Sequence, residues 1–270
     1  MTDMQELNDI AAQFDPKLDV ATGKWFGKPC IKVRGKVFVV LWQGDLAFKL
    51  TGKAHSEASQ IVGAHLFDPR GKGHPMKEWV QVPAAQSSTW SRFAQLAHGY
   101  VAGFAQAKKD QVISDLVEAR RKILDAASSL PPAQQDEVFL GIWSVKDLLA
   151  HLVGWDFANV EAAQAILAGE VPAFYSCYDR NWKTLNARLV AEYKKDDYAE
   201  LLSSVEDSHQ ELIGFLKTIP AEGFDKDKGV RFKGYKVTIA RLLQVEAKDE
   251  GKHHTQIKGF AAGKLDSQSL

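Results

Sequence analysis

Residues 238–261 read TIARLLQVEAKDEGKHHTQIKGFA, and this stretch decides the fold of the second half of the chain. Its apolar residues recur at the three- and four-residue spacing of one helix face, and they are Leu242, Leu243, Val245, Ile257 and Phe260. A polar stripe at positions i, i+3, i+4 and i+7 runs along the edge of that face, and its members are Glu246, Asp249, Glu250 and His253. Such a stripe is typical either of a hydrated surface or of a pocket beside the core.

Three further helical patterns precede this stretch. The first covers residues 112–127 and ends at Leu130-Pro131-Pro132, and the second runs from Trp143 to about Ala168 with Ser144 as its N-cap. The third covers residues 178–217, with a break near residues 194–197, and residues 223–237 form a loop before the last helix. Four amphipathic helices without a strong strand signal predict an all-α four-helix bundle at residues 111–270.

The first part of the chain has a different pattern. Short apolar runs, separated by Arg34-Gly35 and by Gln43-Gly44-Asp45, predict an antiparallel meander, and the runs are residues 30–33, 37–42 and 46–50. A short helix around residues 56–61, two extended segments at 64–67 and 79–82, and a helix at 88–107 follow. The sequence therefore predicts an α+β domain at residues 1–110, a small antiparallel sheet with helices.

Composition excludes several classes of protein. The chain has 270 residues, 45% of them hydrophobic and 25% charged, which is the balance of a globular protein of two modest domains. Its formal net charge is zero, so nucleic acid is not an expected partner. No apolar run approaches the roughly 20 residues of a membrane span, and residues 1–15 lack a signal pattern. We therefore expect a cytoplasmic protein with a small-molecule substrate and no membrane contact. The sequence is compatible with a homodimer.

Residues 22–107 resemble the TfoX N-terminal family. The resemblance is carried by Phe26-Gly27-Lys28-Pro29-Cys30, by residues 36–50, and by the segments at 66–69 and 75–80. It implies a small α+β fold and brings no catalytic signature to positions of this chain.

The second half resembles the DinB-like superfamily, and within it the ClbS/DfsB branch. The similarity rests on residues 143–152, WSVKDLLAHL, and residues 249–257, DEGKHHTQI, with further likeness at 182–187 and 208–212. Many members bind a divalent metal through three histidines, and matched residue by residue these places fall on His151, Asp249 and His253. Asp249 stands where a histidine is expected, but two imidazoles and one carboxylate still form a workable open site for Zn²⁺, Ni²⁺, Mn²⁺ or Fe²⁺.

Other residues near this set have candidate roles. Glu250 and Glu246 are candidate catalytic residues, as a base acting on bound water or as alternative ligands. His209 and Tyr178 are candidate pocket residues. Glu206 and His209 repeat the Glu-x-x-His spacing of Glu250 and His253, as in di-iron bundles, although a two-metal site would also need glutamates from the other two helices.

The implied function is metal-assisted hydrolysis or thiol transfer on a small electrophilic or toxic compound, for detoxification or self-protection. The chain lacks a glycine-rich dinucleotide fingerprint, a Walker-type loop and a Gly-x-Ser-x-Gly elbow, which disfavours nucleotide-dependent and serine-hydrolase chemistry. The alternative is a non-catalytic stress-response or interaction protein, in which the polar stripe only organises the interior of the bundle.

Overall fold

The structure is a computed structural model and describes residues 3–176 and 182–264. The chain divides into two compact units, Met1–Ala107 and Lys108–Leu270. The α+β fold predicted for the first part and the helical fold predicted for the second are confirmed. No helix within the described ranges is long and apolar enough to cross a membrane.

The first unit is built on one antiparallel sheet. Its strands are β1 (Val20–Trp25), β2 (Lys28–Val33), β3 (Lys36–Trp42), β4 (Asp45–Lys49), β5 (His65–Leu66) and β6 (Trp79–Val82), and its helices are α1 (Asp3–Ala12), α2 (Gly52–Ser59) and the first part of α3 (Trp90–Ser128). The strand order is β1-β2-β3-β4-β6-β5. A core that includes Leu7, Phe38, Phe48 and Phe93 joins the sheet to α1 and α3.

Two tight turns of this sheet confirm the predicted meander. Arg34 and Gly35 between β2 and β3 have φ of 52° and 77°, and Gln43 and Gly44 between β3 and β4 have φ of 53° and 92°. Two successive positive φ values match the twist of a two-residue hairpin. The sequence reasoning missed α1 and β1, because β1 reads VATGKW and none of its residues is buried, so it has no apolar alternation.

The second unit contains the remaining elements. They are α4 (Pro132–Gln135), β7 (Val138–Leu140), β8 (Trp143–Ser144), α5 (Val145–Ala168), α6 (Trp182–Tyr193), α7 (Tyr198–Thr218), β9 (Arg231–Phe232), β10 (Tyr235–Lys236) and α8 (Ile239–Ala261). The later part of α3 joins α5, α7 and α8 in shared apolar clusters, and α6 packs on α5. Side chains that hold these clusters together include Leu116, Ile123, Leu149, Leu212 and Leu243.

Several predicted boundaries differ from the structure. The helices predicted at residues 88–107 and 112–127 are one continuous helix, α3, because no glycine or proline follows Gly103 within it. The predicted break in the third helical region is confirmed: α7 starts afresh after Asp197, whose side chain accepts a hydrogen bond from the Glu200 N–H. The loop predicted at 223–237 contains the hairpin of β9 and β10, and Trp143 lies in β8 rather than in a helix.

Candidate active site

A cavity of about 750 Å³ lies in the second unit between α5, α6, α8 and the β9–β10 hairpin. Its volume is within the range of sites that enclose a small molecule. Aromatic rings form much of its wall, and they belong to Trp143, Trp155, Phe174, Tyr175, Trp182, Phe232 and Tyr235. Four of the residues singled out from the sequence also line it, namely His151, Glu246, Asp249 and His253.

His151 is placed by the start of α5. Ser144 caps this helix, since its side chain accepts from the Asp147 N–H while the Asp147 carboxylate accepts from the Ser144 N–H. Nearly two turns further on, the His151 ring lies 4.8 Å from the Trp143 ring and is only 6% exposed. Burial, followed by the charge of His253, lowers the pKa of His151 to about 3. The imidazole is therefore neutral at physiological pH, which is the form that binds metals.

His253 is oriented by its neighbours on α8. Its Nδ1 lies 2.8 Å from Gln256 Oε1, and its Nε2 lies 3.4 Å from Asp249 Oδ2. When Nδ1 carries the hydrogen and donates a hydrogen bond to Gln256 Oε1, Nε2 presents a lone pair beside the Asp249 carboxylate. Two acceptors this close need either a hydrogen on Nε2 or a metal ion between them.

Asp249 is the half-exposed member of the group. Its Oδ1 accepts a hydrogen bond from Lys252 Nζ at 2.8 Å, and its Oδ2 faces His253. The close contact with His253, and then the hydrogen bond from Lys252, hold the pKa of Asp249 well below its usual range. The carboxylate is thus ionised across the physiological range and available to a cation.

The donor set fits a divalent metal by its chemistry. Two imidazoles bound to one tetrahedral ion at about 2.1 Å have ring centres roughly 5–6 Å apart, and the His151 and His253 centres are 5.7 Å apart. His151 Nδ1 and His253 Nε2 are buried and have no partner within hydrogen-bond geometry among the described residues. The ligand atoms of His151, Asp249 and His253 are nevertheless not all within 4.8 Å of one another, a spacing that within residues 3–176 and 182–264 only Asp156, His209 and Glu250 meet.

Glu246 lies on the cavity wall, partly buried, one turn before Glu250. Burial, and then the negative charge of Glu250, raise the pKa of Glu246 to about 8. A carboxyl group with such a pKa exchanges protons near neutral pH, as a general acid or base must.

Glu250 does not line the cavity. It is fully buried and accepts hydrogen bonds from Arg120 Nε at 3.2 Å and Arg120 Nη2 at 2.8 Å. Arg120 also donates to both carboxylate oxygens of Asp156, at 2.7 and 2.9 Å, and to the Val205 carbonyl. Ser208 donates to Asp156 at 2.7 Å. The cluster joins α3, α5, α7 and α8, and we call Arg120, Asp156, Ser208, His209 and Glu250 the central cluster.

The charges of the central cluster stabilise one another. Burial alone would lower the pKa of Arg120, but the carboxylates of Glu250 and Asp156 raise it. Burial raises the pKa of Asp156, and the charge of Arg120 together with the hydrogen-bonding contacts of His209 and Arg120 outweighs this and lowers it. The ligand atoms of Asp156, His209 and Glu250 are close enough to hold one metal ion, but the Arg120 guanidinium already neutralises both carboxylates, which disfavours a second cation there.

The other pocket candidates lie elsewhere. His209 is buried in the central cluster, with Nδ1 3.7 Å from Asp156 Oδ1, and does not line the cavity. Tyr178 lies outside the described residues. Glu206 is exposed and contacts Gln210, so it does not extend His209 into a two-metal site.

Comparisons with known proteins identify the family of the second part of the chain. The sequence profile of the DinB superfamily matches residues 115–257, and no curated protein matches the chain. An uncharacterised protein from Escherichia coli UTI89 is 15% identical with a TM-score of 0.47, over 59% of this chain and 95% of that chain. The colibactin self-resistance protein ClbS, solved in complex with a dsDNA, is 18% identical with a TM-score of 0.47, over 60% of this chain and 96% of that chain. Because the profile covers more than half of the sequence, the chain belongs to the DinB superfamily.

Proposed function

We propose that this DinB-superfamily protein binds a small electrophilic compound in its aromatic cavity and activates water or a thiol against it, as a hydrolase or thiol transferase of detoxification. The observation that carries the proposal is the meeting of His151, Glu246, Asp249 and His253 on one wall of a cavity of small-molecule size. Titratable groups gathered in a cavity with aromatic walls are typical of a site where chemistry occurs.

His151, Asp249 and His253 would hold a divalent metal. His151 supports this role because it is buried and stays neutral, and His253 because Gln256 fixes its ring so that Nε2 faces Asp249. When bound, such a metal lowers the pKa of water or a thiol and so supplies a nucleophile at neutral pH.

Glu246 is the proton carrier in this proposal. With a pKa near 8, a fraction of Glu246 is ionised at neutral pH and accepts the proton of the attacking water or thiol as the new bond to the electrophilic carbon forms. The leaving group departs with its bonding electron pair and takes that proton back from Glu246. Glu250 has no part in these steps, because both of its oxygens are bound by Arg120.

The first test uses protein purified without an affinity tag. We expect stoichiometric divalent metal, a rise in Tm on adding Mn²⁺, Ni²⁺ or Zn²⁺ to chelator-treated protein, and accelerated turnover of p-nitrophenyl acetate or of chlorodinitrobenzene with cysteine. His151→Ala and Glu246→Gln should each remove the turnover, and only His151→Ala should also remove the metal response. Absence of metal, of the Tm response and of turnover would contradict the enzyme proposal.

One observation favours the second candidate, a binding protein without catalysis. The three candidate ligands are not gathered within 4.8 Å, and Asp249 already has Lys252 and His253 as partners. In that case small apolar molecules would still bind in the cavity, while Glu246→Gln would leave their binding unchanged and no turnover would be seen. The TfoX-like first unit would in either case help to bind the substrate or mediate assembly.

A further inference from the structure

The cavity is polarised along its length by charge. One end carries the cationic side chains of Lys233, Lys236 and Arg241, and the other end carries His151 and His253. Among the lining residues that the structure describes, the acids are Glu246 and Asp249, both on the histidine side, and Lys252 pairs with Asp249. A chain with no net charge thus concentrates positive charge at one end of its cavity.

Two of these cations, Arg241 and Lys236, contact backbone carbonyl oxygens. Arg241 Nη1 donates to the Lys236 carbonyl at 3.0 Å, and Lys236 Nζ lies 3.4 Å from the Asp225 carbonyl. The carboxylate whose pKa Lys236 helps to lower, Asp227, is itself in a two-point ion pair with Arg231. The positive charge at this end therefore keeps the capacity to bind an external anion.

Helix α8 fixes the distance between the two ends. Arg241 precedes Glu246 by five residues and Asp249 by eight, which at about 1.5 Å per residue corresponds to roughly 7–12 Å along the helix axis. Stacked rings fill the wall beside the cationic end, where the Tyr175 and Phe232 centres are 4.3 Å apart with planes 17° apart. This length suits a molecule with one aromatic ring or two fused rings.

We propose that the substrate of this cavity is an aromatic acid, whose carboxylate, sulfonate or phosphate is bound by Lys236 and Arg241 while its planar body lies against the aromatic wall. The inference rests on the proposed function, because it places the electrophilic carbon at the histidine end. The inference adds the chemical class of the substrate and its orientation in the cavity, which the four reactive residues alone do not define.

A matched pair of fluorescent probes tests the inference. Anilinonaphthalene sulfonate carries an anion on fused rings, and N-phenylnaphthylamine has the same aromatic body without the charge. We expect the anionic probe to bind about tenfold more tightly or better, since charge-assisted hydrogen bonds are stronger than neutral ones, and its affinity to fall as salt is raised. Equal affinity of the two probes, or no response to salt, would overturn the proposal.

Two substitutions locate the anion. Arg241→Met and Lys236→Met keep an apolar stem and remove the charge, and each should weaken binding of the anionic probe about tenfold while changing the neutral probe by less than about twofold. Lys248→Met is the control, because Lys248 lies on the same helix outside this cavity. An effect of Lys248→Met as large as that of Arg241→Met and Lys236→Met would overturn the inference.

The two proposals fail in different ways. If metal binding and turnover are absent while the preference for the anionic probe remains, the enzyme proposal is contradicted, and the cavity is still selective for anions. If the preference for the anionic probe is lost while turnover remains, only the proposal that the substrate is an aromatic acid is contradicted.

Discussion

Helix α8 carries two glutamates one turn apart that have opposite surroundings. Glu250 is fully buried, and both of its oxygens accept hydrogen bonds from Arg120 within the central cluster. Glu246 lies on the wall of the cavity, where burial, and then the negative charge of Glu250, raise its pKa to about 8. Each glutamate lies among acids and histidines, yet only Glu246 faces space that a ligand can enter.

The difference shows what separates a structural polar group from a reactive one. In the central cluster, Arg120 is the cation for both carboxylates, and Ser208 adds a further donor to Asp156. Buried ring nitrogens without hydrogen-bond partners among the described residues occur in both places, and they are His151 Nδ1 and His253 Nε2 in the cavity and both nitrogens of His209 in the central cluster. Such atoms have a cost that a metal or substrate can relieve, and a ligand that enters the cavity meets His151 and His253.

The largest effect should come from breaking the central cluster. Arg120→Met removes the cation from two buried carboxylates, and we expect the free energy of unfolding to fall by about 3–5 kcal/mol. Urea denaturation followed by circular dichroism measures it. The control is Arg121→Met, the next residue, whose exposed pairs with Glu118 and Asp125 should contribute about 1 kcal/mol or less. If the two variants lose equal stability, the cluster does not hold the bundle together.

Metal binding discriminates directly between the two groups. His253→Ala removes a candidate ligand of the cavity, so we expect at least about a hundredfold weaker binding of Ni²⁺ or Zn²⁺ in calorimetric titration. His209→Ala changes the central cluster and should leave metal affinity unchanged, and His254→Ala controls for the loss of a neighbouring imidazole outside the cavity. The opposite result, with His209→Ala losing the metal, would place the ion among Asp156, His209 and Glu250.

The pH dependence of stability reports on Glu246. Its folded-state pKa, about 8, lies above the ordinary glutamate value of 4.5, so between these pH values the folded protein holds a proton that the unfolded chain releases. Stability should therefore decrease as pH rises from about 4.5 to 8 and then level off.

Glu246→Gln should remove this loss and stabilise the protein at pH 8 by about 1–2 kcal/mol, with no difference from wild type at pH 4. Glu206→Gln, at an exposed glutamate of α7, is the control and should leave the stability unchanged at both pH values. A Glu246→Gln curve parallel to that of the wild type would show that Glu246 titrates normally.

The sequence predicted the long helices of the second unit, and four of the polar residues of the cavity, from a local pattern. The spacing of Glu246, Asp249 and His253 and the apolar surroundings of His151 are visible within single helices. The cavity itself is not, because its aromatic wall combines Trp143 and Trp155 with Phe232 and Tyr235, which are far apart along the chain.

The central cluster was missed, although it leaves a signal. Arg120 lies four residues after Leu116 and three before Ile123, and Asp156 lies four residues after Leu152, so both occupy core positions of their helices. A charged residue at a core position predicts a buried partner. The sequence could not show that Arg120 binds Glu250, because the two residues are 130 positions apart. This ion pair is the reason that Glu250 is not one of the candidate reactive residues of the cavity.

The smallest effect should come from a single hydroxyl of the central cluster. Ser208 donates to Asp156 at 2.7 Å, and Ser208→Ala removes one hydrogen bond to a carboxylate that keeps both bonds from Arg120. We expect a loss of about 1–2 kcal/mol in the free energy of unfolding, because a bond to a charged group is lost inside the protein. Ser203→Ala, on an exposed turn of the same helix, should be close to neutral. Equal values for the two serines would mean that Arg120 alone satisfies Asp156, so that the hydroxyl only fills space.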